Sequence, residues 1–68
     1  MIEVLKEVTG EDSGFFYQEH IYYVDKKTSK LVAFAAAPNY TQIDRYSKPK
    51  KFDKRLRKFE KLGEVENV

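Results

Sequence analysis

Few residues of this chain have side chains that could perform catalysis or bind metal. Ser13, His20 and Asp25 are the residue types of a hydrolytic triad, but they form no recognisable motif. His20 alternates with Phe16 and Tyr22, which favours a partly buried structural histidine. Zinc takes three or four ligands, whereas the sequence contains one His and no Cys. We therefore expect a non-enzymatic protein that holds no metal or cofactor.

The strongest functional signal is a concentration of cations near the C-terminus. The net charge is only +2, but residues 1–44 carry four Lys and seven acids, whereas residues 45–62 carry nine Lys or Arg and two acids. Such a segment can neutralise phosphates, which predicts salt-sensitive binding to nucleic acid. A solvated surface and a site for an acidic protein are the alternatives. The residues assigned to nucleic-acid binding are Arg45, Lys50, Lys54, Arg55, Arg57, Lys58 and Lys61.

The first half of the chain predicts strands that would position these cations. Residues 1–8 alternate loosely between apolar and polar side chains, as in a half-buried strand. Residues 15–25 are rich in aromatic and β-branched side chains, residues 26–30 suit a hairpin loop, and residues 31–37 return as the partner strand. Residues 40–46 are ambiguous and leave a fourth strand open.

The C-terminal segment predicts a helix. Ser47 could be its N-cap, Pro49 is tolerated in a first turn, and Gly63 suits the position after a helix. Four apolar residues follow the i, i+4, i+7, i+10 spacing of one helical face: Phe52, Leu56, Phe59 and Leu62. The predicted fold class is α+β, a small antiparallel sheet of three strands, or four, with one C-terminal amphipathic basic helix.

The size of the chain favours a partner. We expect one domain over residues 1–63 with a frayed tail over 64–68, and 68 residues is just below the size at which one hydrophobic core suffices unaided. A single helix would cover only one face of the sheet. The other face would expose apolar side chains, so Tyr22, Val32 and Phe34 are predicted to form a protein interface or a homodimer contact.

These observations predict a small binding protein that engages nucleic acid or a nucleoprotein through its basic helix. The alternative is a protein-interaction module, such as a small inhibitor of the phage type that docks on a larger enzyme through its apolar sheet face or a sheet edge. The longest apolar run is seven residues, at 31–37, and no export signal is recognisable. A cytoplasmic protein that does not bind membranes is therefore expected.

Overall fold

The chain forms one antiparallel β-sheet. The computed structural model describes residues 1–7, 20–36, 41–55 and 58–68. Its five strands are β1 (Ile2–Glu7), β2 (His20–Asp25), β3 (Lys30–Ala36), β4 (Asp44–Lys51) and β5 (Phe59–Val65). Their order across the sheet is β4-β3-β2-β1-β5, and every neighbouring pair is antiparallel. The strands β4 and β5 are therefore the two edges.

The first three strands lie where the sequence predicts strands, because their side chains suit a pleated surface that is buried on at least one face. A turn at residues 26–29 joins β2 to β3, and it closes with a hydrogen bond of 2.7 Å from the Ser29 amide to the Asp25 carbonyl. The predicted loop between the first two strands lies outside the described residues, as does part of the predicted strand at 15–25.

The predicted C-terminal helix is wrong, and with it the α+β class. The segment contains two strands, with Ser47 and Pro49 in β4 and Gly63 in β5, paired with Val4. Pairing with β3 and β1 satisfies backbone groups that a helix would have satisfied internally. It also covers two sheet edges that a three-stranded sheet would have left open. The described residues are all-β, and they contain no helix that could span a membrane.

The four residues of the predicted helical stripe do not share one environment. Phe52 lies in the connection between β4 and β5, Phe59 lies in β5, and both pack against the core. Leu62 is 52% exposed. Leu56 lies outside the described residues. The helical spacing was therefore coincidental, although it selected two residues that pack against the core.

The core lies on one face of the sheet, here called the aromatic face. Leu5, Tyr22, Val24 and Leu31 are buried there, and four partly buried rings pack against them: Phe34, Tyr46, Phe52 and Phe59. The connection from β4 to β5 must cross the sheet, because these strands are opposite edges. The ring of Phe52 shows that it crosses the aromatic face, since its centroid is 5.3 Å from that of Tyr22 and 5.0 Å from that of Phe59.

The opposite face is also buried near its centre. Ile21 and Ala35 are directly paired across β2 and β3, and they are 8% and 1% exposed. Ala33 is fully buried. The sequence predicted that one helix would cover one face of the sheet and leave the face of Phe34 open. The structure instead places Phe34 on the aromatic face, against other rings.

Candidate nucleic-acid interface

The edge strand β4 is the most exposed and the most basic of the five strands. Arg45, Lys48, Lys50 and Lys51 are all exposed, and its only aromatic residue, Tyr46, is half-buried against the core. Lysine and proline are typical of edge strands, since they resist pairing with another chain, and Pro49 has no amide hydrogen to donate. The sequence of β4 thus suits an edge strand in which one aromatic side chain, Tyr46, packs against the core.

A bulge in β4 pushes part of the strand outward. Arg45 pairs with Ala33 and Lys50 pairs with Leu31, so residues 46–49 lie opposite the single residue Val32. Edge bulges of this kind bend the strand and redirect its side chains. Lys48 lies within the bulge, and the Lys50 ammonium nitrogen lies 4.4 Å from the centroid of the Tyr46 ring, in cation–π contact.

Two glutamates on the β1 and β5 side of the sheet already pair with several lysines. Glu3 is buried and accepts a hydrogen bond from Lys54, with Lys61 3.6 Å away. Glu64 accepts hydrogen bonds from Lys61 at 2.6 Å and from Lys26 at 3.1 Å. Lys54 lowers the pKa of Glu3, while Lys61 and then Lys26 lower the pKa of Glu64 to about 2. These lysines therefore have carboxylate partners within the fold.

Arg55 is also paired. Its Nε and its terminal nitrogen lie 3.0 and 3.1 Å from the two carboxylate oxygens of Asp53, and its amide donates to the same carboxylate at 2.9 Å. These bonds lower the pKa of Asp53, and the Asp53 hydrogen bond raises the pKa of Arg55. The pair is exposed, so it adds little to stability.

Seven cations have no side-chain carboxylate partner among the described residues. Arg45 donates from Nε to the backbone oxygen of Val68 at 2.9 Å, and Lys27 and Lys58 lie outside β3 and β4. The remaining four belong to β4 or to the start of β3. We name the set formed by β4 and β3 the basic edge: Lys30, Arg45, Lys48, Lys50 and Lys51.

The seven cations predicted to bind nucleic acid are dispersed. Arg45 and Lys50 lie in β4, Lys54 and Arg55 lie in the following turn, and Lys61 lies in β5 at the opposite edge. Lys58 immediately precedes β5, and Arg57 lies outside the described residues. Three strands separate β4 from β5, so these residues cannot form one continuous surface along a helix.

The sequence reasoning missed three members of the basic edge. Lys48 and Lys51 are exposed residues of β4, and Lys30, the first residue of β3, pairs with Lys51. The signal that could have identified them was the lysine-rich run around Pro49, which has no helical or alternating apolar pattern. Such a run is typical of an exposed edge strand.

The predicted protein-interface residues lie in or beside the core. Tyr22 is 7% exposed, and its ring centroid is 5.2 Å from that of Phe34. Phe34 and Val32 are half-buried. Tyr22 could contact a partner only if the aromatic cluster opened, so Val32 and Phe34 are the accessible part of the predicted interface.

The residue types of a hydrolytic triad are not assembled by the described residues. His20 begins β2 and Asp25 ends it, which separates them by roughly 16 Å along a six-residue strand. His20 Nδ1 instead lies 3.3 Å from Glu7 Oε1, and the Tyr22 hydroxyl donates to the same oxygen at 2.8 Å. Ser13 lies outside the described residues.

No protein-family model, curated protein or solved structure matches the chain. The placement of unpaired charge at the basic edge is therefore the observation that bears most directly on function.

Proposed function

We propose that this protein is a non-enzymatic nucleic-acid-binding protein whose contact surface is the basic edge. The observation that supports this proposal is the segregation of its cations. Lys54, Arg55 and Lys61 have carboxylate partners, whereas Lys48, Lys50 and the other members of the basic edge have none among the described residues.

Unpaired cations on one edge suit a phosphate backbone physically. Each phosphate that they neutralise releases condensed counterions, and this release drives binding at low salt. A cation that already has a carboxylate partner must break that contact before it can neutralise a phosphate. The exposed lysines of β4 require no such exchange, so they should account for most of the affinity.

An acidic protein segment is the second candidate ligand. One side of β4 pairs with β3, and its other side pairs with no described strand. An extended acidic peptide could add to that edge through backbone hydrogen bonds and meet the same lysines. Pro49 removes one donor, and the bulge interrupts the regular ladder, so this candidate ranks second.

The test compares two double variants that change the net charge equally. Lys48→Gln/Lys50→Gln neutralises the basic edge, and Lys6→Gln/Lys58→Gln neutralises two lysines that lie in or next to β1 and β5. Fluorescence anisotropy measures the affinity of each variant for a labelled duplex and a labelled single strand over a range of salt. Circular dichroism verifies that both variants fold.

The unmodified protein should lose affinity with log salt at a slope of about −0.9 for each duplex phosphate contacted. Four contacts correspond to about two orders of magnitude between roughly 50 and 200 mM salt. The basic-edge variant should reduce the slope by about two units, and the control should leave it unchanged. Equal slopes for the two variants, or no binding at about 50 mM salt, would contradict the proposal. If the protein still captures a partner from a native lysate after nuclease treatment, the acidic protein segment is favoured over nucleic acid as the ligand.

A further inference from the structure

We propose that a hollow at the end of the β3–β4 pair is a phosphate-binding subsite. The hollow has a volume of about 540 Å³ and lies between the 26–29 turn and the start of the connection that follows β4. Its lining includes Thr28 and Ser29, which carry hydroxyl groups, and the cationic residues Lys30, Lys51 and Arg55. Hydroxyls together with ammonium and guanidinium groups are the donors that phosphate oxygens accept from.

The first supporting observation is a pair of like charges placed face to face. Lys30 and Lys51 are direct partners across the antiparallel β3–β4 ladder, and both line the hollow. Two cations in direct opposition repel each other and destabilise the sheet. Neither has a carboxylate partner among the described residues. A bound dianion between them would convert this repulsion into attraction.

The second supporting observation is the backbone of Ser29. Its φ is 58°, in the left-handed region where glycine is the residue without steric cost. Glycine is the usual residue at such a position in a hairpin turn. Serine instead retains a hydroxyl group at the wall of the hollow, at the expense of backbone strain. Strained residues of this kind cluster at ligand sites.

The carboxylate of Asp53 also lines the hollow, and it opposes an anion. Its two oxygens are occupied by Arg55, which neutralises it. Three cations and one carboxylate leave a net charge of +2 around the hollow. Lys30 and Lys51 are therefore the principal ligands, and the Arg55–Asp53 pair forms the rim.

Which molecule carries the bound phosphate group is an inference that rests on the proposed function. If the protein binds nucleic acid, the subsite suits a terminal phosphate, because a phosphate monoester carries more charge than a backbone diester. A free phosphate group has the same chemistry. The existence of the subsite does not depend on the lysines Lys48 and Lys50, so the two proposals can fail separately.

The experiment is a titration followed by amide resonances in two-dimensional NMR. The probes are inorganic phosphate, a 5′-phosphorylated oligothymidylate and the same oligonucleotide with a 5′-hydroxyl, with ionic strength held constant by chloride. Saturable shifts should centre on Thr28, Ser29, Lys30 and Lys51. Tighter binding of the phosphorylated oligonucleotide would assign a terminal phosphate. Equal binding of the two, with saturable shifts from inorganic phosphate, would assign a free phosphate.

Two variants separate a binding role from a structural one. Ser29→Gly relieves the left-handed backbone, and Lys30→Gln/Lys51→Gln removes the repulsion, so both should melt at the same temperature as the unmodified protein or higher. Both should nevertheless bind phosphate more weakly, by about tenfold for the double variant. Lys48→Gln/Lys50→Gln should leave the phosphate shifts unchanged.

The proposal is overturned by shifts that do not saturate, or by shifts that chloride alone reproduces. It is also overturned if the double variant binds inorganic phosphate as well as the unmodified protein. Loss of oligonucleotide binding in the Lys48→Gln/Lys50→Gln variant, with inorganic phosphate binding retained, would support both proposals at once.

Discussion

Tyr22 should be the residue on which the stability of this small fold depends most. Its ring is 7% exposed and lies 5.2, 5.3 and 5.4 Å, between centroids, from the rings of Phe34, Phe52 and Phe59. These partners come from β3, from the β4–β5 connection and from β5. The Tyr22→Ala variant therefore removes the contact that joins three parts of the chain.

The expected cost can be compared with the total stability. Truncation of a buried aromatic residue to alanine costs roughly 3–5 kcal/mol. A chain of 68 residues has a total stability of about 3–10 kcal/mol at typical values per residue. Tyr22→Ala should therefore leave the protein largely unfolded, or folded with only a few kcal/mol of stability.

The Tyr22→Phe variant isolates the hydroxyl group. It keeps the ring contacts and removes the 2.8 Å hydrogen bond to Glu7. A hydrogen bond to a charged acceptor contributes about 1.5–3 kcal/mol, and the expected cost is about 1–2 kcal/mol because Glu7 Oε1 keeps its 3.3 Å contact with His20. For a domain of this size the melting temperature should fall by about 4–16 °C.

Urea unfolding followed by circular dichroism measures both variants, with Tyr23 as the control position. Tyr23 is adjacent in β2, half-buried, and points to the opposite face of the sheet. Tyr23→Ala should cost clearly less than Tyr22→Ala. If the two alanine variants unfold at the same urea concentration, the assignment of the core to the aromatic face is wrong.

Three further predictions concern acid, charge and association. The pKa of Glu64 is lowered to about 2, so the stability that its ionised form contributes is complete above about pH 4.5 and is lost as the pH falls through about 2. The stability of the Glu64→Gln variant should therefore depend less on pH between about 4.5 and 2 than that of the unmodified protein. Lys54→Gln should lower the urea midpoint more than Glu3→Gln, because it leaves the Glu3 carboxylate, 11% exposed, without its hydrogen bond, whereas Glu3→Gln leaves a lysine that is 51% exposed and that water can solvate. Sedimentation should detect the predicted homodimer, and Val32→Lys, at an accessible position of the predicted interface, should convert it to a monomer; a monomer at all concentrations would contradict the prediction.

The local sequence predicted those parts of the fold that are determined locally. The β2–β3 hairpin follows from aromatic and β-branched residues on both sides of a short polar turn. In contrast, β5 pairs with β1 between residues as distant as Val65 and Ile2, and no local pattern encodes that contact. Residues 47–63 favour a helix by spacing and by lysine content, yet as strands they cover the outer edges of β3 and β1 and pack Phe52 and Phe59 against the core.

The sequence predicted a cluster of cations but not where the fold places them, and the charge map explains why. Residues 1–44 have a net negative charge and residues 45–62 a net positive charge. A sum of charges along the sequence therefore treats every C-terminal cation as free to bind a ligand. Antiparallel pairing of β1 with β5 places Glu3 beside Lys61, and the connection brings Lys54 to the same carboxylate. These cations thereby gain acidic partners. The strand β4 pairs only with β3, which has no acidic residue, and its one acid, Asp44, is at the far end from the lysines, so Lys48, Lys50 and Lys51 have no carboxylate partner among the described residues. The position of the proposed contact surface therefore depends on which strand forms the edge far from Glu3 and Glu64.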